Sequence, residues 1–396
     1  MKVCMVIYMF PPVVGGGEIG AYETARAIVA QGHEVHVLTT WHKGLKRHEG
    51  MEGIKVHRLI DARFMDSYNE PGKKSKFLSS LAIVNFMKFA VPKLLRFIEK
   101  EQFDVIHAEF AMPAGFPTAL VGRFSGKPTV VTLVGGDIYT PSEPLYMSSL
   151  RKLAMPLYKT VFSADVLTAI SSDTAKRAGE LGARKEILLT PYGIDLNLFR
   201  KKKPDEHLIK KFNLGGNTVL LSVCRLSKRK GLGHLLDAIP KVLKKDKNVK
   251  LLIVGDGPER NALLSKAESL GIQEDVVFAG AVPHDKLDAY YNISDIFVLP
   301  SLHEGLGIVF MEAMACGLPV VTTNNGGMVD VVEDGKTGFL LDVGDTEGLT
   351  KSLLKLIQDK KLRSELSKNA EKKALKEFSW ERAALRYTDA YKKAVK

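Results

Sequence analysis

Short apolar runs alternate with helical stretches along this chain in two successive rounds, and this double alternation restricts the fold more than any other feature. In the first half, strand-like runs fall near 2–10, 34–40, 54–59, 104–108, 128–134, 165–170 and 186–190. In the second half they fall near 218–223, 249–254, 276–280, 295–300 and 319–323. Strands joined through helix-length connections build parallel sheets covered by helices, so the pattern predicts two α/β units. A chain of 396 residues is also longer than an ordinary single domain. Pro191-Tyr192-Gly193-Ile194-Asp195 closes the first round, and the polar run RKKKPDEH from Arg200 reads as a linker. The expected domains are therefore 1–197 and 198–377, with a last helix over 378–396 that Ser379 can N-cap.

The segment from Pro300 to Val321, PSLHEGLGIVFMEAMACGLPVV, holds the densest chemistry. Glu304 and Glu312 stand eight residues apart around Gly305-Leu306-Gly307. A helix beginning near Gly307 should end at Gly317, a good residue after a helix C-terminus, and Pro319 opens the next strand. Glu312 then lies mid-helix among Phe310, Met311, Ala313 and Met314, where a carboxylate needs a partner. The glycines let a ligand approach the backbone. The free N–H groups of a first helical turn favour an anion such as phosphate. An anion site flanked by two hydrogen-bonding carboxylates suits a ligand with phosphates and hydroxyls. Taken alone, two glutamates at this spacing also fit a structural helix.

A second anion site precedes it. The strand-like run Thr218–Val223 leads into CRLSKRKG, with Arg225 and Lys230 five apart across a strand-to-helix turn closed by Gly231. Arg offers a planar fork to phosphate oxygens and Lys a mobile point charge. A solvated basic loop is the plainer reading of the same residues. Near the N-terminus an apolar run meets PPVVGGGEIG, where Gly15, Gly17 and Gly20 formally match G-x-G-x-x-G. Pro11 to Val14 separate the strand from the first glycine, and the second strand ends in Thr39-Thr40-Trp41 with no acid to hold a ribose. Both features count against a nicotinamide dinucleotide site.

Together these stretches resemble glycosyltransferase family 4, the retaining group 1 enzymes. The match rests on PS..EG.G...EA.A.G.PVV around Glu304 and Glu312, and on the family's GR....KG stretch at Arg225 and Lys230. PYGID and Gly255-Asp256-Gly257-Pro258 also fit, and the resemblance spans essentially the whole chain. It implies a GT-B fold: two facing Rossmann-like domains, an active site in the cleft between them, and a last helix returning to the N-terminal domain. It implies that Arg225 and Lys230 hold the donor diphosphate, Glu304 the sugar hydroxyls and Glu312 the ribose. It places Gly16 and Gly17 against the donor phosphates. It also puts Gly305, Leu306, Gly307 and Val282 around the donor, Val282 in the loop that borders the nucleobase. Catalysis would rest on Glu304, Arg225 and Lys230. Three positions depart from the family, one of them Cys224, which replaces the usual small residue before Arg225. Val134 in TLVGGD and Glu109 in VIHAEF stand where histidines are common. Glu109, at a strand's C-terminal end, and Asp137 are the acceptor-side candidates, with a plain surface glutamate as the alternative for Glu109.

The composition agrees with an enzyme of this kind. Hydrophobic residues make up 45% of the chain, and Cys4, Cys224 and Cys316 lack paired spacing, as expected in a reducing compartment. The net charge of +12 is carried mostly by lysines spread along helices, without a nucleic-acid module. The chain is expected to lack a cleavable leader, and the expected location is cytoplasmic. The stretch 76–97 (KFLSSLAIVNFMKFAVPKLLRF) mixes apolar runs with Lys76, Lys88, Lys93 and Arg96, and Pro92 is expected to interrupt it. It reads as a core helix, with an amphipathic contact to the inner face of a membrane or to a lipid-linked acceptor as the alternative.

The resulting expectation is a metal-independent retaining hexosyltransferase. It would use a UDP-, GDP- or ADP-linked sugar as co-substrate, with a hydroxyl acceptor, no other cofactor and no nucleic-acid partner. A GT-B nucleotide-sugar 2-epimerase and a non-catalytic nucleotide-sugar-binding protein remain alternatives. Base, sugar, acceptor and oligomeric state are not legible.

Overall fold

The computed structural model describes residues 1–12, 16–61, 73–138 and 155–396, without the side chains of 73–84. The chain divides into two compact units: Met1–Gly193 with Trp380–Lys396, and Ile194–Ser379.

The first unit holds an eight-stranded sheet among its described residues, ordered β3-β4-β2-β1-β5-β6-β7-β8. The strands are β1 (Lys2–Val6), β2 (Glu34–Trp41), β3 (His48–Met51), β4 (Ile54–Asp61), β5 (Val105–Glu109), β6 (Thr129–Leu133), β7 (Val166–Ala169) and β8 (Ile187–Leu189). All neighbours run parallel except the edge pair β3–β4. The sequence reading did not include β3, whose HEGM lacks an apolar run because an edge strand buries little. Side chains of a strand alternate between faces, and β1 shows this directly. Val3 and Met5 join the core that packs Ala384, Tyr387, Ala390 and Tyr391 of the last helix, Trp380–Val395. Cys4 and Val6 join the opposite core, with Phe86, Leu94, Phe97 and Ile98 of the helix Lys73–Glu101.

That second helix corrects one expectation, because it runs unbroken through Pro92. A helical proline frees the carbonyl four residues earlier. Pro92 and Lys88 both lie on the exposed side, where water can satisfy that carbonyl. Among the described residues no helix is long and apolar enough to cross a membrane.

The second unit holds an all-parallel six-stranded sheet, ordered β11-β10-β9-β12-β13-β14. Its strands are β9 (Thr218–Val223), β10 (Val249–Val254), β11 (Val276–Gly280), β12 (Ile296–Leu299), β13 (Val320–Thr323) and β14 (Gly338–Leu341). The chain reverses direction of growth between β9 and β12, the switch point at which open α/β sheets bind ligands beyond the strands' C-terminal ends. β14 also went unread from sequence; it is short and only partly buried.

Candidate functional site

In the second unit the residues named from sequence fall in the loops beyond β9, β11 and β12. Arg225 lies two residues beyond β9, after Cys224, and is exposed, with no ion pair among the described residues. The chain then makes one 3-10 turn, Lys228–Lys230, and ends it at Gly231 with φ 67°. Glycine is required there for two reasons. The left-handed conformation disfavours a side chain, and a Cβ would collide with the carbonyl oxygen of Pro300. That contact packs the loop after β9 against the loop after β12, and Leu302 N donates to Arg229 O at 2.8 Å.

Glu304 is held at this junction. Its Oε1 accepts from Lys230 Nζ at 2.5 Å and from Ser301 Oγ at 2.9 Å. The carboxylate is buried, so the ammonium and hydroxyl offset the loss of water. Its backbone is fixed as well, because Gly327 N donates to Glu304 O at 2.9 Å. A Cβ on Gly326 (φ 78°) would strike Glu304 O, and one on Gly327 would strike Gly305 O. Asn325 Nδ2 donates to Leu302 O at 2.6 Å. The Asn324-Asn325-Gly326-Gly327 loop beyond β13 is thus the seat of the Glu304 loop.

Gly307 carries φ 78° and begins the helix Ile308–Ala315, which has no side-chain cap and no acid in its first turn. Leu306 is buried beneath the loop. The helix therefore presents uncapped N–H groups and the positive end of its dipole beside Gly305 and Gly307. One turn further on, Glu312 is buried and doubly bonded. Tyr291 donates its OH to Oε2 at 2.7 Å, and His284 Nε2 lies 2.7 Å from Oε1. Burial, then the neighbouring Glu312, push the Tyr291 phenol well up, so it stays a donor. His284 opens the 3-10 turn His284–Lys286, shortly after the half-buried Val282. Its ring meets Phe199 edge-on at 5.2 Å.

Ser301, Tyr291, His284 and the Gly326-Gly327 pair were not singled out from the sequence. Ser301 had a signal, standing three residues before Glu304 in the same loop. Tyr291 and His284 had none, because only the fold brings them to Glu312.

In the first unit, residues gather beyond β1, β5 and β6. Gly16 opens the helix Gly16–Ala30. Gly15, the first glycine of the G-x-G-x-x-G match, lies outside the described residues. Gly17 packs so near the Phe110 ring and Val134 that a Cβ would clash with Phe110, and Gly20 is pressed against the Tyr192 ring. These close approaches explain two glycines without any nucleotide.

Glu109 ends β5 and is fully buried, which overturns the plain surface reading. β5 is flanked by β1 and β6, so its side chains enter the interior. Tyr192 donates its OH to Glu109 Oε2 at 3.2 Å. Burial pushes the Glu109 carboxyl up to about 8, against the Tyr192 bond that lowers it. Two residues back, His107 bonds Thr132 Oγ1 at 2.7 Å and Tyr391 OH at 2.8 Å, and burial holds its imidazole down at about 3. Phe110 has φ 76°, a costly conformation for an aromatic residue. Asp137 pins the loop that follows: its carboxylate accepts from Ala111 N and, at 3.1 Å, from Val134 N. Asp137 therefore ties the loop beyond β5 to the loop beyond β6.

Two such units, each carrying polar and glycine-rich loops beyond its parallel strands, define the GT-B class of glycosyltransferases. The solved structure of sucrose-phosphate synthase from Thermosynechococcus elongatus has this fold. It superposes with a TM-score of 0.78 at 22% identity, over 99% of this chain and 98% of that one. The family is set by sequence. The model described as Glycosyltransferase Family 4 matches residues 14–198, and that described as Glycosyl transferases group 1 matches 204–373. The chain belongs to this family of glycosyltransferases. Among its curated relatives is the N-acetyl-alpha-D-glucosaminyl L-malate synthase of Bacillus anthracis. It is 27% identical over 99% of this chain and 97% of that protein. Another is the GDP-mannose-dependent alpha-(1-6)-phosphatidylinositol monomannoside mannosyltransferase of Mycolicibacterium smegmatis. It is 29% identical over 94% of this chain and 93% of that protein.

Proposed function

We propose that this protein is a retaining glycosyltransferase that moves a hexosyl group from a nucleotide-diphosphate sugar to a hydroxyl acceptor. The observation that carries the reading is the grouping of Lys230, Glu304 and an uncapped helix N-terminus at the switch point between β9 and β12. A diphosphate leaving group gathers negative charge as the glycosidic bond breaks. Arg225, Lys230 and the N–H groups after Gly307 oppose that charge, usually a large catalytic contribution. Glu304, flanked by Gly305 and Gly307, bonds the sugar hydroxyls. Glu312 bonds the ribose, and His284, exposed beside it, borders the nucleoside with Val282. The acceptor hydroxyl attacks the anomeric carbon from the face the diphosphate leaves, and a phosphate oxygen takes its proton.

In this reading Asp137 positions the acceptor-side loop of the first unit, and Glu109 acts through Phe110 rather than by touching substrate. Gly16 and Gly17 keep the donor-phosphate role that the family resemblance implies. The relatives support a nucleotide-diphosphate donor and a hydroxyl acceptor, since one is a GDP-mannose-dependent mannosyltransferase and another an N-acetyl-alpha-D-glucosaminyl L-malate synthase. The protein cations do the work of a bridging metal ion, so no divalent ion is needed.

Thermal shift across a panel of UDP, GDP, ADP and their sugars tests donor binding, since a ligand of the folded state raises the midpoint. The donor so found is then supplied with hydroxyl acceptors in EDTA. The expected product keeps the donor's anomeric configuration by NMR. An inverted product contradicts the retaining assignment, and activity that returns only on adding a divalent ion contradicts the metal-independent one. Turnover of the sugar without any acceptor would instead favour an epimerase.

A further inference from the structure

The first unit contains a pocket of about 570 Å³ between the β3–β4 edge and the helix Lys73–Glu101. Its lining includes Lys93, Arg96 and Lys100, at spacings of three and four residues along one helical face. Among the described residues none of the three cations has an ion pair or hydrogen-bond partner. The carboxylate at the pocket wall, Glu101, is already taken. Lys2 Nζ lies 3.0 Å from Glu101 Oε2 and also donates to Glu101 O at 2.6 Å. The floor is apolar and aromatic, made by Leu59 and by Phe97, whose ring meets His57 at 4.6 Å.

His57 is fixed at both ring nitrogens, by His36 at 3.0 Å and His48 at 3.1 Å, and His36 in turn bonds Glu34 at 2.9 Å. Burial, then the nearby His36 and His48, hold the His57 imidazole down at about 4, so it adds polarity rather than charge.

The three cations are exposed over an apolar floor, and among the described residues no protein group neutralises them, so an anion that fits the pocket gains charge-assisted contacts to all three. The pocket is also separate from the acceptor-side residues. His57 and Leu59 lie on β4, three strands from β5 in the sheet order, about 14 Å at the usual strand spacing. The pocket opens on the face packed by the helix Lys73–Glu101, whereas Glu109 lies on the face of the last helix.

From this convergence of Lys93, Arg96 and Lys100 over Leu59 and Phe97, we infer a second ligand site that takes a multiply charged anion of the phosphate class. Arg96 supplies the planar fork and the two lysines the mobile charges. Such an anion comes either free in solution or on a lipid headgroup.

Calorimetric titration with inorganic tripolyphosphate, beside cosedimentation with phosphatidylglycerol and phosphatidylcholine vesicles, separates these sources. Three proteins are compared: the unaltered chain, the pocket variant Lys93→Gln/Arg96→Gln/Lys100→Gln, and a control of equal charge loss, Lys241→Gln/Lys244→Gln/Lys245→Gln. All six residues are exposed, so both variants should fold. The expected result is a binding event weakened at least tenfold in the pocket variant and kept in the control. Tripolyphosphate binding with that pattern assigns a soluble anion. Binding confined to phosphatidylglycerol vesicles, with the same pattern, assigns a headgroup. No binding to either probe, or equal behaviour of the two variants, overturns the inference. Because donor binding is read separately by nucleoside diphosphate, failure here leaves the glycosyltransferase reading untouched.

Discussion

The ammonium of Lys230 lies 2.5 Å from Oε1 of Glu304, across 74 residues of sequence. The two side chains are 14% and 8% exposed, so the pair is nearly desolvated. It joins the loop beyond β9 to the loop beyond β12, and it sets the distance between the cation proposed to bind the diphosphate and the carboxylate proposed to bind the sugar.

Removing one partner of so deep a pair should destabilise the protein by about 3 kcal/mol, because the other charge is left buried without compensation. Lys230→Met and Glu304→Gln should each lower the denaturant midpoint. The double variant should lose clearly less than the sum, with a coupling above about 1 kcal/mol. Additive losses would mean that the two side chains do not act as a pair.

The two glutamates should separate in their effects. Glu312→Gln should chiefly weaken nucleoside-diphosphate affinity, since its proposed partner is the ribose and it also orients Tyr291 and His284. Glu304→Gln should slow sugar transfer by at least tenfold while nucleoside-diphosphate affinity changes less than threefold. Titration calorimetry beside donor-turnover rates distinguishes them. Matching profiles for the two variants would remove the division of roles.

Gly326→Ala should damage the site without touching a charged residue. The substitution forces a side chain into φ 78° and against Glu304 O. A loss of about 2 kcal/mol in stability is expected, together with a larger fall in turnover than Gly335→Ala causes. Gly335 has a similar φ of 70° but open space around its Cβ position. Equal effects at the two positions would show that the contact with the Glu304 loop is unimportant.

Glu109 gives the first unit a pH dependence of definite sign. Its carboxyl is raised from an ordinary value of 4.5 to about 8 on folding. Between these values the folded form holds the extra proton, so stability falls as pH rises from about 4.5 to 8 and levels off above. The slope from this group is at most about 1.4 kcal/mol per pH unit. His107 has the opposite sense, costing stability as pH falls below its ordinary 6.5. The difference between the unaltered protein and Glu109→Gln isolates the carboxyl. The variant should gain relative stability as pH rises through this window, and a pH-independent difference would contradict the buried neutral acid.

The parallel sheets were legible because their central strands are buried on both faces and read as unbroken apolar runs, such as TVLLSV and VKLLIV. β3 and β14 were not, since edge strands need little apolar content. Glu304, Glu312, Arg225 and Lys230 could be named because each lies in a compact run whose neighbours constrain it. The bonds of Tyr291 and His284 to Glu312 depend on the folded approach of distant segments. The burial of Glu109 depends on which strands flank β5. Pro92 misled because local propensity disfavours a helical proline, while an exposed helical face tolerates it.

The diphosphate site is the centre of this account, and calorimetry with the preferred nucleoside diphosphate tests it most directly. Arg225→Ala carries that test best, because Arg225 is exposed and has no ion pair among the described residues, so its removal should leave the fold intact. Each charge-assisted bond lost there is worth about 1.5–3 kcal/mol, so affinity should fall roughly tenfold to hundredfold with the thermal midpoint of the free protein unchanged. Affinity equal to that of the unaltered protein would contradict the assignment of Arg225 to the donor diphosphate.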